Sequence, residues 1–374
     1  MLHYNSYNVV RVVHGSDSGR STVRLGSQGF QVLRYCIWLL SFALNKYMAS
    51  STFQLPALHA PHSTTSSITA STMVPSPDTD IKPTPPTPPP ALPKPIGMQA
   101  APALEAGIIA TAKVRANRPV DQTFYLSVVA GIWLGFGAIG ALSAACGVPQ
   151  SVRTEWPILP KFLMGAIFAF ALHYIVIFGG ELFTGTIMIF GVGWINRAIP
   201  IRRSVTNLVV VYVGNWCGCL IMAYFMAYLT GIFDDASSRQ WLTVATLGKT
   251  HGHGWGVLFL KGIGANAMVC MAVVLYHACT DSAGKIMAIW FPVVVFVISG
   301  YEHCVANMFF LSVGLLYGAP STIARLWFNQ SAALCGNIIG GALVIGLNLH
   351  LMNNWISPVP WDRKAKEGND LERR

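Results

Sequence analysis

The sequence predicts an all-α membrane protein of six transmembrane helices, two of them discontinuous, arranged as an inverted 3+3 repeat. Three observations predict it. Only 11% of the residues are charged and 53% are hydrophobic, at a mean hydropathy of +0.49, whereas a soluble domain carries about 25% charged residues. Apolar stretches recur from residue 124 onward. Two of them are too long for one straight crossing and carry a polar interruption near the middle.

The stretches are 124–148, 162–195, 208–233, 255–280, 286–320 and 326–352. A single helical crossing needs about 20 residues. The first, third, fourth and sixth fit that length with some tilt. The second is interrupted by Gly179-Gly180-Glu181-Leu182-Phe183-Thr184-Gly185, and the fifth by Ser299-Gly300-Tyr301-Glu302-His303-Cys304-Val305-Ala306-Asn307. Over-long, interrupted spans in matching places mark discontinuous helices in an inverted repeat.

The repeat is legible in the motifs. Glu181 precedes Asn215 of Gly214-Asn215-Trp216-Cys217-Gly218 by almost the same stretch of chain that separates Glu302 from Asn337 of Gly336-Asn337-Ile338-Ile339-Gly340. Each half therefore reads as an apolar span, a broken span with Glu at the break, and a span containing Gly-Asn-x-x-Gly. The small residues suit close helix approach. An odd number of spans per repeat gives the halves opposite orientations.

Loop charge sets the topology. With the N-terminus inside, the inner segments hold Lys113, Arg115, Arg118, Arg197, Arg202, Arg203, Lys285 and the basic residues of the 357–374 tail, whereas the outer loops hold Arg153, Lys161, Arg239, Lys249 and Arg325. The excess places both termini in the cytoplasm. The expected membrane is the plasma membrane, with an organelle membrane as the alternative. The net charge of +10 thus reflects topology and contact with the lipid bilayer, not nucleic acid.

The segments outside the spans divide in three. Residues 1–48 are basic and acid-poor, as in a targeting leader; alternatively translation begins at Met48. Residues 49–118 are rich in Pro, Ser and Thr and read as a disordered tail. Residues 119–356 form the membrane domain, and 357–374 a charged cytoplasmic tail. The eight cysteines form no framework; Cys217-Gly218-Cys219 lacks a second pair to complete a metal site, so no metal or cofactor is expected.

Ionisable groups inside spans cost about 2.5–3.5 kcal/mol each on insertion scales, and mark function by default. Here they are Glu181, Lys261, Glu302 and His303, with His173 and His277. The two glutamates stand at the breaks, where a carboxylate can accept amide bonds from the following half-helix, or take part in proton transfer. Lys261 can neutralise one of them, face a vestibule and draw anions, or snorkel. His303 stands where the chain leaves helical geometry, tolerated in a membrane only in buried protein or beside a water-filled cavity. That favours a pore-facing imidazole able to donate to an anion or exchange a proton with a weak acid. Half-helix N-termini near Thr184–Gly185 and Ala306–Asn307 add positive dipole ends. Thr184 and Asn266 offer further hydrogen bonds. Phe168, Leu172, Leu182, Phe183 and Phe296 can close apolar constrictions or simply pack.

These residues bring out a resemblance. Glu181-Leu182-Phe183-Thr184-Gly185, Gly300-Tyr301-Glu302-His303-Cys304-Val305-Ala306-Asn307-Met308 and Gly336-Asn337-Ile338-Ile339-Gly340-Gly341 resemble the signature segments of formate/nitrite transporters. The stretches 207–215 and 261–270 resemble that family's third and fourth spans. The likeness covers residues 120–352 and leaves out the first 118. It implies an aquaporin-like fold assembled as a homopentamer, one pore per protomer. It makes His303 the central pore histidine, with Thr184 beside it and Asn266 and Lys261 as the polar residues of span 4. Phe168, Leu172, Leu182, Phe183 and Phe296 become the constrictions. Thr186 departs from the Asn of many members, and His173 follows Leu172.

The implied activity is transport of formate, nitrite, lactate, acetate or related small monovalent anions, as anions or with protons, and not catalysis. An aquaporin-type channel for neutral solutes is the alternative, although no Asn-Pro pair stands at either break. A membrane enzyme lacks a His-x-x-x-His pair, a nucleophile elbow or a phosphate loop near the breaks.

Overall fold

The computed structural model describes residues 97–356. The leader at 1–48, most of the tail expected at 49–118 and the charged tail at 357–374 lie outside the described residues.

Among the described residues the chain is helical, without a strand. The elements are α1 (Ala101–Asn117), α2 (Val120–Cys146), α3 (Gln150–Glu155), α4 (Ile158–Ile177), α5 (Phe183–Ile195), α6 (Ile201–Tyr228), α7 (Ala236–Thr250), α8 (Trp255–Ala278), α9 (Ser282–Ile298), α10 (Cys304–Leu316) and α11 (Ile323–Asn354). Among them α2, α4, α6, α8 and α11 are long and apolar enough to cross a membrane. The predicted fifth span contains two shorter apolar helices, α9 of 17 residues and α10 of 13 residues.

The end of the tail expected to be disordered is corrected: α1 occupies 101–117. The Pro-rich run stops before it, and Leu104, Ile108, Ala112 and Ala116 recur every fourth residue as a buried stripe. The helix packs on α5. Its Glu105, also buried, accepts hydrogen bonds from Asn196, His350, Asn353 and Asn354, tying α1 to the far end of α11. Burial pushes the Glu105 carboxyl up, but the bonds from His350, Asn353 and Asn196 outweigh it and leave it below the ordinary value.

Each half is built on one long central helix. In the first, α2 packs against α4 and α6; in the second, α8 packs against α9 and α11. The halves meet where α4 lies on α9. The short helices cross between them. Helix α5 packs on Gly340–Leu347 of α11, and α10 packs on α6, including Met222–Tyr228; both segments are wound as π-helix. Helices α5 and α10 are apolar around nearly their whole circumference and buried along nearly their whole length, as expected of helices enclosed by protein.

Glycine sets the helix spacing. A methyl group at Gly214 or Gly218 of α6 would collide with Ser127 or Val128 of α2, and one at Gly336 or Gly340 of α11 with Phe259 or Ile263 of α8. The Gly-Asn-x-x-Gly motifs thus mark the seams at which both long helices touch backbone to backbone.

Candidate functional site

Helices α4 and α9 end alike. Gly179 and Gly300 take positive φ of 71° and 66°. The next amides reach back, Gly180 N to Ile175 O at 2.7 Å and Tyr301 N to Phe296 O at 3.2 Å. This left-handed glycine cap stops a helix sharply. The chain then runs extended before α5 and α10 begin. Glu181 N donates to Leu126 O of α2, and Glu302 N to Lys261 O of α8.

The half-helix amides are not held by the glutamates, as the sequence suggested, but by the motif asparagines. Asn215 Oδ1 accepts from Phe183 N at 2.9 Å, and Asn337 Oδ1 from Cys304 N at 2.8 Å. Their Nδ2 groups donate to Ser127 O and Glu181 O, and to Gly262 O and Glu302 O. An amide side chain can donate and accept at once, which a carboxylate cannot. Each asparagine therefore fastens an extended break segment between two long helices.

The carboxylates are counter-ions. Glu181 is paired with Arg115 and Arg118 of the α1 region and accepts from Thr186 Oγ1 at 2.9 Å. Glu302 is paired with Lys249 of α7 at 2.9 Å and accepts from Asn307 and Asn329. Asn207 and Asn329 donate to the carbonyls of Arg115 and Lys249. Thr186 and Asn307 hold equivalent places, so the departure at Thr186 changes the donor and preserves the bond. The sequence reading missed Arg115, Arg118 and Lys249 as partners, because they are distant in sequence and lie in segments taken for tail and loop. Lys261 does not pair with Glu302: its Nζ donates to His253 Nε2 at 2.7 Å.

His303 is the last residue before α10, and its ring is fixed at both nitrogens. Nδ1 accepts from Ala306 N at 3.1 Å, and Nε2 lies 2.9 Å from Thr184 Oγ1. The amide can only donate, so Nδ1 carries no proton; in the neutral ring Nε2 carries it and donates to the hydroxyl. The Ala306 amide, expected to face substrate, is thus capped by the imidazole. Leu182 stands at the same point before α5, with no side-chain cap.

His303 lines two cavities. The larger, about 340 Å³, is bordered by Lys161, Lys249, His253, Lys261, Tyr301 and Glu302 as well as by apolar residues. The smaller, about 20 Å³, is lined by Leu134, Leu172, Ile175, Leu182 and Val269, among others. Phe168 and Phe296 border both, their rings edge to face with centroids 6.2 Å apart, and the Phe296 ring lies 5.9 Å from the His303 ring. Phe183 lines neither of these cavities; its ring packs edge-on to Tyr212. Asn266 is fully buried and donates to Thr184 O and Asn337 O, so it braces the site from behind. His173 lines neither cavity; its ring lies within hydrogen-bonding distance of the Ala169 and Ile286 carbonyls.

Comparison with known proteins places this geometry. The family model for formate/nitrite transporters matches residues 103–351. "Formate-nitrite transporter 2" of Toxoplasma gondii is 35% identical over 250 residues, covering 65% of this chain and 52% of that protein. The matched region thus spans about half of that relative's length. The "probable formate transporter" of Methanothermobacter thermautotrophicus is also 35% identical over 250 residues, covering 63% of this chain and 90% of its own. Among solved structures, an "FNT family ion channel" aligns with a TM-score of 0.59 at 28% identity, over 67% of this chain and 98% of that one. A "pentameric formate channel with formate bound" aligns with a TM-score of 0.52 at 27% identity, over 63% and 97%.

Proposed function

Because the chain belongs to the formate/nitrite transporter family, a family of membrane channels and transporters and not of enzymes, we propose that it carries small monovalent anions or their acids through a pore centred on His303. The substrates are of the formate, nitrite, lactate and acetate class. The observation that carries the reading is the shared wall: Phe168, Phe296 and His303 border both the lysine-lined vestibule and the small, mostly apolar cavity beyond it.

In this reading α4 with α5, and α9 with α10, are the two discontinuous spans of an aquaporin-like inverted repeat, and protomers assemble as a pentamer. The matched bonds of Asn215 and Asn337, and of Glu181 and Glu302, support the repeat. A pentameric relative with formate bound supports the assembly and the substrate class. Both termini are cytoplasmic, so the lysine-lined vestibule faces outward.

The mechanism follows from desolvation. Lys161 and Lys261 raise the local concentration of anions, Lys249 being paired with Glu302. A bare carboxylate loses its water at the Phe168–Phe296 wall at great cost, and protonation removes most of it. The substrate therefore crosses that wall as the neutral acid. His303 holds its single Nε2–H towards Thr184 Oγ1 and can share it with a passing oxygen only by exchanging that bond. It acts as a hydrogen-bond donor and not as a shuttle, because protonating Nδ1 would leave the buried Ala306 amide without an acceptor.

Labelled formate uptake into proteoliposomes tests the proposal. Uptake should accelerate as the outer solution is acidified, and His303→Phe should reduce it strongly. Uptake indifferent to outside pH would overturn the neutral-acid route, and unchanged flux in His303→Phe would remove the histidine from the pore.

A further inference from the structure

The transport reading uses Lys261 of the vestibule but leaves unused the histidine bonded to it. His253 lies in the short loop between α7 and α8, exposed to solvent. Its Nε2 is 2.7 Å from Lys261 Nζ, and both side chains line the 340 Å³ cavity. An ammonium can only donate, so the bond exists only while Nε2 is unprotonated. His253 thereby occupies one donor of the lysine that faces incoming anions.

We propose that His253 and Lys261 form a binding site for small carboxylates and other monovalent anions, opened when His253 takes up a proton. The imidazolium cannot accept from Lys261. The bond breaks, the ammonium turns to the cavity, and a second positive charge stands beside it. An anion then bridges the two cations. The proposal rests on the transport reading and refines it, since it places acid sensitivity at the mouth, before the Phe168–Phe296 wall.

The surroundings set the sign. Facing the pair are Lys161 from α4, Lys249 from α7, and Tyr301, Glu302 and His303 from the break before α10. Glu302 is engaged by Lys249, Asn307 and Asn329. The carboxylate nearest the site is therefore already neutralised, and an arriving anion meets net positive charge. The neighbouring His251 is held differently, its Nδ1 2.9 Å from Thr250 Oγ1. In the second half Lys261 O accepts from the break residue Glu302; in the first half that place belongs to Leu126. The charged pair thus has no mirror image there.

The test uses thiocyanate, which stays ionised at every pH of interest and so reports anion capture apart from supply of neutral acid. Its inhibition of formate uptake is measured in proteoliposomes holding the full-length protein. On acidification of the outer solution from neutral to mildly acidic pH, the wild-type inhibition constant should fall about three- to tenfold, the effect of one added unit charge near a hydrated site. His253→Gln keeps an acceptor for Lys261 but cannot charge, and should hold the constant flat at its neutral-pH value. His253→Arg should hold it low at both pH values. His251→Gln should behave as wild type. An unchanged pH dependence in His253→Gln, or its loss in His251→Gln, would overturn the assignment while the transport reading stood. Wild-type protein that moved no formate at any pH would overturn both.

Discussion

Nε2 of His303 stands 2.9 Å from Oγ1 of Thr184, so the loop before α10 and the first turn of α5 are joined by a bond across the two halves of the chain. Both side chains are buried, His303 at 3% and Thr184 at 0% exposure. Because Nδ1 is committed to the Ala306 amide, the ring's single proton points along this bridge.

Removing the acceptor therefore exposes a cost that a change of size alone would not. Thr184→Val preserves shape and leaves the Nε2–H without a partner, at about 1–3 kcal/mol. The ring should relax towards the cavity, and formate flux should fall about tenfold. Thr184→Ser keeps the oxygen and should retain most of the flux. Equal losses in both variants, read as initial uptake rates, would show that the methyl group and not the hydroxyl matters.

Asn215 and Asn337 should be the least replaceable residues of the two seams. Each accepts one half-helix amide and donates to two carbonyls. Replacement by Leu leaves the half-helix amide and the break carbonyl unpaired at about 1–3 kcal/mol each and removes the bond to the neighbouring long helix. Both variants should lose several kcal/mol of stability and unfold at markedly lower temperature in detergent. Asp at either site keeps the acceptor but loses the donors, and should also destabilise. A thermal transition within a degree or two of wild type in Asn337→Leu would contradict the bracing role.

The sequence showed why these asparagines stand where they do only in part. Glu-to-Asn spacing and the polar interruptions pointed to the two breaks and to the asparagines that brace them, because motif order is local information. Helix α5 was legible as the tail of an over-long apolar run. Helix α1 was not, since its stripe of Leu104, Ile108, Ala112 and Ala116 sits directly after Pro-rich chain and is less hydrophobic than any span. Phe183 read as a constriction beside Leu182, yet Leu182 is the last extended residue before α5 and Phe183 the first helical one, and the two side chains part, Leu182 to the cavity and Phe183 to Tyr212. Partners such as Lys249 for Glu302 and His253 for Lys261 depend on tertiary packing that residue spacing does not encode.

The break carboxylates give a paired test. Glu302→Gln leaves Lys249, 24% exposed at its side chain, without its counter-charge, and Glu181→Gln strands Arg115 and Arg118. Breaking a buried ion pair from one side costs about 3–5 kcal/mol, and neutralising both partners costs much less. Partial exposure of the cations screens part of that, so Glu302→Gln should destabilise by less than the full range. Lys249→Met combined with Glu302→Gln should be more stable than Glu302→Gln alone. A double variant less stable than the single one would mean that Lys249 stabilises the fold through contacts other than its pair with Glu302.

The last prediction concerns how α1 is anchored. The Glu105 carboxyl lies below its ordinary value because hydrogen bonds from His350, Asn353 and Asn196 outweigh the opposing effect of burial. A group whose value is depressed on folding contributes stability above its unfolded value, and that contribution is lost as pH falls through the folded one. The α1 anchor should therefore hold through neutral and mildly acidic pH, and loosen only in solutions more acidic than the ordinary carboxylate range. Glu105→Gln should mimic the acid state at neutral pH. It keeps an oxygen acceptor but loses the charge that strengthens each bond, a loss of about 1–2 kcal/mol. Proteolytic cleavage within 101–117 reads the outcome: faster in Glu105→Gln at neutral pH, and equal to wild type once both are acidified. A variant cleaved no faster than wild type at neutral pH would show that the apolar stripe on α5 holds the helix without Glu105.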